Sequence, residues 1–172
     1  MEIWDLYDKN RALTGQTMVR GQPVPENCFH LVVHSWIHDG NGRYLISQRS
    51  KSRQKNPLLW ECVGGSVLAG EDSISAALRE TEEEVGVKLS SSDGKLLFSK
   101  LREVVDGVPF SDIVDVWLFK YNGPVELKNA TTDEVEQVRW MKIDEIKELW
   151  DKGLFVPTLG YFFNEVIPFR NK

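Results

Sequence analysis

The stretch GSVLAGEDSISAALRETEEEVGV, from Gly65 to Val87, contains the clearest helix signal in the chain. Asp72 and Ser73 are typical of a helix N-terminus, and Gly86 is typical of the residue that ends a helix. These signals predict a helix over Ser73–Val85, preceded by a glycine-containing turn.

Three carboxylates share one face of the predicted helix, because Glu83 and Glu84 follow Glu80 at helical spacings of three and four residues. Like charges at such spacings destabilise a helix by about 0.2–0.5 kcal/mol per pair, and the helix dipole adds to this cost near the C-terminus. A divalent cation would offset both effects, and carboxylate oxygens favour Mg²⁺, Mn²⁺ or Ca²⁺ over zinc. The alternative is a solvated acidic face that pairs with neighbouring Lys and Arg.

The same helix carries a second, mostly apolar stripe, which is predicted to face the core. Its members are Ile74, Leu78, Thr81 and Val85. Ala76 and Ala77 flank the acidic stripe, and we expect these small side chains to leave it sterically open.

The fixed residues of this stretch resemble the Nudix box: Gly, five residues, Glu, seven residues, Arg-Glu, an aliphatic residue, any residue, Glu-Glu, any residue, Gly and an aliphatic residue. The matching positions are Gly65, Glu71, Arg79, Glu80, Glu83, Glu84, Gly86 and Val87. Thr81 stands where the family usually has an aliphatic residue, and we expect a packing adjustment there without loss of activity. By the same resemblance, Glu71 would brace the turn before the helix.

The resemblance implies an enzyme that hydrolyses a diphosphate linkage in a nucleoside diphosphate derivative or a related small phosphorylated molecule. Glu83 and Glu84 would be metal ligands, and Glu80 would be a ligand or the general base. The carbonyl of Gly65 would join the metal shell, and Arg79 would orient the catalytic glutamates through ion pairs. The implied cofactor is Mg²⁺, with Mn²⁺ as a substitute.

The remaining sequence predicts strands and helices that are mixed without strict alternation. Strands are expected at 3–7, 30–37, 44–48, 58–63, 95–105, 113–121 and 137–143, and closing helices at 144–150 and 158–166. Because no repeat or linker divides the chain, we expect one domain over residues 1–172. The fold class is therefore α/β (α+β), and the resemblance specifies a Nudix-like α/β/α sandwich, a mixed β-sheet with flanking helices.

Members of the family often draw one more carboxylate from outside the box. The candidates here are Glu134, Glu136, Asp112 and Asp115. We prefer Glu136, although each of the four, taken singly, is also consistent with a solvated acidic residue.

Basic and aromatic residues outside the box are candidates for substrate binding. Four basic residues alternate along the chain at Arg49, Lys51, Arg53 and Lys55. In an extended segment they would share a face and hold the diphosphate, whereas a solvated basic loop is the equal alternative. The tryptophans that could stack on a base are Trp36, Trp60 and Trp117, but aromatic residues in strands more often belong to the core.

A second resemblance, to isopentenyl-diphosphate isomerase, covers the segment HLVVHSW that begins at His30 and the later PLLW. That enzyme has a Cys-Gly-His motif where this chain has Gly64-Gly65-Ser66, and Cys62 lies two residues too early. His30 matches one of its metal ligands, while His34 and His38 share the same strand face and are expected to be structural. We therefore expect hydrolytic chemistry, with an isomerase or a catalytically inactive nucleotide sensor as alternatives.

The 172 residues include 26 acidic and 21 basic side chains, which gives a formal net charge of −5. Six acids and one base lie between Glu71 and Glu84, so this segment accounts for the whole excess. The acidic balance argues against a nucleic-acid duplex as partner, and no apolar run is long enough to span a bilayer.

Two cysteines, Cys28 and Cys62, are too few for a disulfide scaffold and favour the cytoplasm. A homodimer is expected from family habit alone.

Overall fold

The computed structural model describes residues 1–105 and 107–170 and contains a mixed β-sheet with helices packed on both faces. The strands are β1 Ile3–Tyr7, β2 Leu13–Val19, β3 Phe29–His38, β4 Arg43–Arg49, β5 Trp60–Glu61, β6 Val63–Ser66, β7 Gly94–Val105, β8 Val108–Lys120 and β9 Val135–Lys142. The helices are α1 Ser73–Val85, α2 Ile143–Asp151 and α3 Ile167–Arg170. The predicted fold class, a mixed sheet with flanking helices, is confirmed.

Strand β3 is the centre of the sheet. β8 pairs with it in parallel, from His30 beside Asp112 to His38 beside Lys120. Strands β1, β4 and β6 pair with β3 in the antiparallel sense. β4 meets β3 only near Ile37 and then continues the sheet to β5 and β9. Strand β6 lies beside α1, the helix that carries the acidic stripe.

Alternation along β3 supplies two separate hydrophobic cores, since successive side chains point to opposite faces. Val33 is fully buried in the core that also contains Ala77 and Val85 of α1. Trp36 is fully buried in the other core, where Phe162 stacks on it with ring centroids 4.2 Å apart. Each such large apolar side chain contributes about 1.5–3 kcal/mol on burial. The strand is therefore held from both sides.

Helix α1 has the predicted bounds, but it is rotated about its axis relative to the expected orientation. Its buried face therefore includes residues of the acidic stripe and residues next to it. Ala76 and Ala77 are fully buried and Glu84 is 7% exposed, whereas Ile74 and Leu78 are only partly buried. The two alanines therefore lie on the buried face of the helix, which was not expected. Their small side chains instead pack against the sheet, and Glu84 enters the interior with them.

Thr81 shows the packing adjustment expected at the departure from the family pattern. Its side chain is fully buried on α1, and its hydroxyl donates to the carbonyl of Ala77 at 2.7 Å. The extra polar group thus finds a partner on its own helix, which is the usual solution for a helical threonine.

Three elements differ from the sequence-based expectations. Strand β2 was not expected, because its sequence LTGQTMV is mostly exposed and contains a glycine. The strand expected at 58–63 is two strands, and Leu58 is in a left-handed conformation before them. The helix expected at 158–166 is a 3-10 turn at Pro157–Leu159 and a π-helical segment at Phe162–Val166.

No helix of the described ranges is long and apolar enough to cross a membrane.

Candidate active site

A cavity of about 600 Å³ opens beside the edge of β6. Strand β3, helix α1, the β7–β8 hairpin and the segment before the last helix all contribute to its walls. Five of its acidic lining residues are Glu61, Glu80, Glu83, Glu84 and Glu134. The three glutamates of the α1 stripe therefore face this cavity.

Close approach of α1 to β6 explains the two glycines at 64 and 65. A Cβ atom on Gly65 would collide with the carboxylate of Glu80, and one on Gly64 would collide with the carbonyl of Val33. Neither position is a turn with positive φ, so the requirement is for space alone. The pair brings the β6 backbone next to the carboxylates.

The side chain of Arg79 organises the acidic stripe. Its Nη1 donates to Glu80 at 2.8 Å and to Glu83 at 3.1 Å, while its other two nitrogens donate to Glu71. Nη2 also donates to the carbonyl of Ser66 at 3.0 Å. One guanidinium thereby connects strand β6, the turn before α1 and the helix itself.

Glu84 is the most deeply buried carboxylate of the site. Burial, and then the negative charges of Glu61, Glu80 and Glu134, raise the pKa of Glu84 well above its ordinary value. The backbone N–H of Gly64 donates to this carboxylate and opposes the shift. Burial also raises the pKa of Glu80, against the effect of Arg79. Several carboxylates are thus held close together at a cost in desolvation and repulsion.

The donor chemistry of this cluster fits a hard divalent cation. Five glutamates of the lining offer carboxylate oxygens, which suit Mg²⁺ or Mn²⁺, and a bound cation would offset the repulsion that, after burial, raises the pKa of Glu84. Within residues 1–105 and 107–170, no three His, Cys, Asp or Glu side chains are already gathered as a metal shell. Arg79 instead holds Glu80 and Glu83 in ion pairs. Binding would therefore require these two carboxylates to share or exchange that partner.

Of the carboxylates considered outside the box, the structure brings Glu134 to the cavity. Glu134 lines the cavity and forms an ion pair with Arg53. Glu136, which we preferred, is exposed on β9 and is not among the lining residues. Asp112 is buried in a two-point ion pair with Arg102, and Asp115 is buried in one with Arg11. These two aspartates already have structural partners.

Sequence reasoning missed Glu61. This carboxylate lines the cavity from β5, and burial raises its pKa although Arg49 lowers it. Nη1 of Arg49 donates to Glu61 at 2.6 Å. The available signal was a lone charged residue between Trp60 and Cys62 in an apolar strand, which we did not use.

The four basic residues do not share one extended face. Strand β4 ends at Arg49, and the chain then forms turns and bends, so the alternation that we assumed is wrong. Arg53 and Lys55 line the cavity, whereas Arg49 and Lys51 are not among its lining residues. The role of this cluster in substrate binding stays a prediction.

The three candidate stacking tryptophans pack within the protein. Trp36 and Trp60 are buried, and Trp117 packs beside the α1 core and donates from its indole to Ser73 at 2.9 Å. Both cysteines are buried and free. Burial raises the pKa of the Cys62 thiol well above its ordinary value. His30 stacks on Trp4 and is not among the cavity-lining residues.

Comparison with known proteins agrees with this geometry. The family model of the NUDIX domain matches residues 29–159. An uncharacterised Nudix hydrolase of Listeria innocua is 34% identical over 174 residues, which cover 99% of this chain and 96% of that protein. DR0079 from Deinococcus radiodurans has a TM-score of 0.71 at 20% identity, covering 92% of this chain and 94% of that one. A bifunctional NMN adenylyltransferase/ADP ribose pyrophosphatase from Francisella tularensis, solved with AMP and a Mn ion, has a TM-score of 0.59 at 20% identity, covering 90% of this chain and 44% of that one.

The chain therefore belongs to the Nudix family, and it is a hydrolase of the Nudix pyrophosphatase type, acting on phosphoric anhydrides. Along nearly its whole length it is similar to the Listeria protein.

Proposed function

We propose that this chain is a Mg²⁺-dependent diphosphohydrolase, with Mn²⁺ as a substitute, that cleaves a nucleoside diphosphate derivative or a related small phosphorylated molecule. The observation that carries the proposal is the buried carboxylate Glu84, which faces a cavity together with Glu80 and Glu83. Such a costly cluster is typical of a functional site.

The cavity also contains the cations that an anionic substrate needs. Arg53, Lys55 and Arg102 line it alongside the glutamates. Their charges would hold the diphosphate, while Arg79 positions Glu80 and Glu83. When bound here, a divalent cation would neutralise charge on the phosphoryl oxygens and lower the pKa of a water molecule bound to it.

We propose that Glu83 and Glu84 bind the cation, with the carbonyl of Gly65 as a further donor, and that Glu80 either binds it or accepts the proton of the attacking water. Burial raises the pKa of Glu80 above its ordinary value, which makes its carboxylate a better proton acceptor. Glu61 and Glu134 are the candidate carboxylates from outside the box, because both line the cavity.

The first experiment compares turnover of the wild type with that of Glu83→Gln and Glu84→Gln on a panel of nucleoside triphosphates, sugar nucleotides, dinucleotides and coenzymes, with Mg²⁺ or Mn²⁺. ADP-ribose belongs in the panel because the Francisella protein is described as an ADP ribose pyrophosphatase. Each substitution is expected to lower turnover about a hundredfold or more. The matched control is Glu82→Gln, since Glu82 lies on the same helix and pairs with exposed Lys88. Full activity in both test variants would refute the proposal.

Glu80→Gln decides between the two roles of Glu80. Binding of Mn²⁺ is measured by electron paramagnetic resonance beside turnover. If Glu80 is the base, turnover falls while Mn²⁺ affinity remains. If Glu80 is a ligand, both fall together.

Two further assays test the alternatives. Proton exchange into isopentenyl diphosphate in deuterated water would indicate the isomerase, and nucleotide binding without hydrolysis would indicate the sensor. Neither is preferred, because Gly64 and Ser66 replace the required Cys and His, and because Glu80, Glu83 and Glu84 are all present.

We further propose that residues 1–172 act as one domain, in the cytoplasm, on a small-molecule substrate. One sheet that includes every described strand supports the first point, and two free buried cysteines support the second. A homodimer is proposed from family habit and is tested by sedimentation equilibrium.

A further inference from the structure

His34 lies in the cavity and is oriented by a chain of hydrogen bonds. The indole Nε1 of Trp36 donates to the hydroxyl oxygen of Tyr161 at 3.1 Å, and that oxygen lies 2.6 Å from Nδ1 of His34. The ring of Tyr161 also packs edge-on against Phe98, with ring centroids 5.7 Å apart. The hydroxyl is therefore fixed between Trp36 and His34.

The hydrogen-bond network assigns the proton of His34. Trp36 can only donate, so Tyr161 accepts from it and keeps its own hydrogen to give. Within the described ranges, Nδ1 of His34 is the acceptor that lies next to this hydroxyl. Nδ1 is then the acceptor of the imidazole, and the proton of the neutral ring is on Nε2.

The Nε2–H group of His34 remains to interact with a ligand. His34 lines the cavity and is only partly buried, and no protein acceptor for Nε2 is found within residues 1–105 and 107–170. Burial, and then the charge of Arg102, lower the pKa of His34 to about 3, so the ring is neutral at neutral pH. In this tautomer Nε2 is a donor and cannot bind a metal ion.

Arg102 supplies a second donor near His34. Its Nε and Nη2 donate to the two oxygens of Asp112 at 2.6 and 2.7 Å, and the guanidinium lies 4.7 Å from the ring centroid of Phe110. The side chain is 9% exposed and lines the same cavity. Among the described residues, Nη1 of Arg102 has no acceptor. Arg102 thus presents a fixed and nearly dehydrated cation with one nitrogen uncommitted.

The sheet register places these two donors on one side of the cavity. Arg102 of β7 pairs with Asp112 of β8, which pairs with His30 of β3. His34 follows His30 by four residues and therefore lies on the same face of the sheet. The α1 carboxylates reach the same cavity beside β6, where Gly64 pairs with His34, so the donors and the carboxylates line neighbouring parts of it.

We propose that Nε2–H of His34 and Nη1 of Arg102 form a subsite for phosphoryl oxygens of the substrate, beside the α1 carboxylates. This inference rests on the proposed function. The subsite holds one phosphoryl group of the diphosphate, while the α1 glutamates act on the phosphoric anhydride linkage.

Binding of inorganic pyrophosphate by calorimetry in EDTA tests the subsite without metal and without turnover. His34→Leu is expected to weaken binding about tenfold or more, since it removes a donor to a charged group. His34→Gln places an amide N–H near the position of Nε2 and is expected to restore most of the affinity. His30→Gln is the control, because His30 lies on the same strand but not in the cavity.

Two-bond ¹H–¹⁵N spectra of the imidazoles give an independent measurement. His34 is expected to carry its proton on Nε2 in the wild type, and Tyr161→Phe is expected to shift the population toward the other tautomer. The proposal is overturned if the wild type does not bind pyrophosphate in EDTA, if His34→Leu binds it as the wild type does, or if the proton is on Nδ1. Failure of metal-dependent hydrolysis would refute the proposed function and leave these binding results standing.

Discussion

Arg79 and Glu71 form a two-point ion pair, in which Nε and Nη2 each lie 2.9 Å from one carboxylate oxygen. Glu71 also accepts the backbone N–H of Leu68 at 3.0 Å. The carboxylate therefore fixes the guanidinium to the turn before α1, and the remaining nitrogen of Arg79 is directed to Glu80 and Glu83. The spacing of the two helix carboxylates depends on a residue that is outside the helix.

Glu71→Gln is expected to lower the free energy of unfolding by about 2 kcal/mol, because a partly buried charge-assisted pair is replaced by a weaker amide contact. Turnover is expected to fall about tenfold, since Arg79 no longer holds the glutamates in register. Urea unfolding and steady-state kinetics measure the two effects. Glu82→Gln, on the exposed side of α1, should change stability by less than about 0.5 kcal/mol. Unchanged turnover in Glu71→Gln would contradict the positioning role of the pair.

Gly65→Ala tests the close approach of β6 and α1. The added methyl group would occupy the place of the Glu80 carboxylate, so Glu80 must move away from Arg79. Turnover is expected to fall about a hundredfold, with a loss of about 1–3 kcal/mol of stability from overpacking. Ser66→Ala is the control because it alters the next residue of the same strand without adding atoms. Wild-type turnover in Gly65→Ala would mean that the position of Glu80 is not critical.

Glu134→Gln and Glu136→Gln distinguish the two neighbouring candidates for the extra carboxylate. Glu134 faces the cavity, whereas Glu136 is exposed on β9. We expect Glu134→Gln to weaken Mn²⁺ binding about tenfold and Glu136→Gln to leave it unchanged, as measured by electron paramagnetic resonance. The reverse pattern would contradict this assignment and support Glu136, the residue preferred from the sequence.

Local signals in the sequence were sufficient to predict α1 and the mixed sheet. The cap at Asp72, where the side chain accepts from the backbone of Ser75 at 2.8 Å, and the left-handed Gly86 both act within one turn of the chain. The rotation of the helix was not predictable in this way. It depends on how closely Ala76 and Ala77 approach the sheet, which is a tertiary property.

Contacts between distant segments explain what the sequence did not predict at the site. Glu61 and Glu134 reach the cavity because β4 pairs with both β5 and β9, so their proximity arises from strand pairing and not from spacing. The basic cluster was misjudged for a related reason. The end of β4 at Arg49 is set by pairing with its neighbours, and beyond it the alternation rule no longer applies.

Stability is expected to depend on pH through His34. Its pKa falls from 6.5 to about 3 on folding because of burial and the charge of Arg102. Between these two values the unfolded chain binds the proton and the folded chain does not, so this contribution to stability is present above 6.5 and is lost as the pH falls toward 3. The difference in unfolding free energy between the wild type and His34→Gln should be constant at higher pH. It should then decline by up to about 1.4 kcal/mol per pH unit on acidification. Urea unfolding of both proteins in EDTA, over a series of pH values, measures this difference. A difference that does not change with pH would mean that His34 takes up its proton as readily in the folded protein as in the unfolded chain.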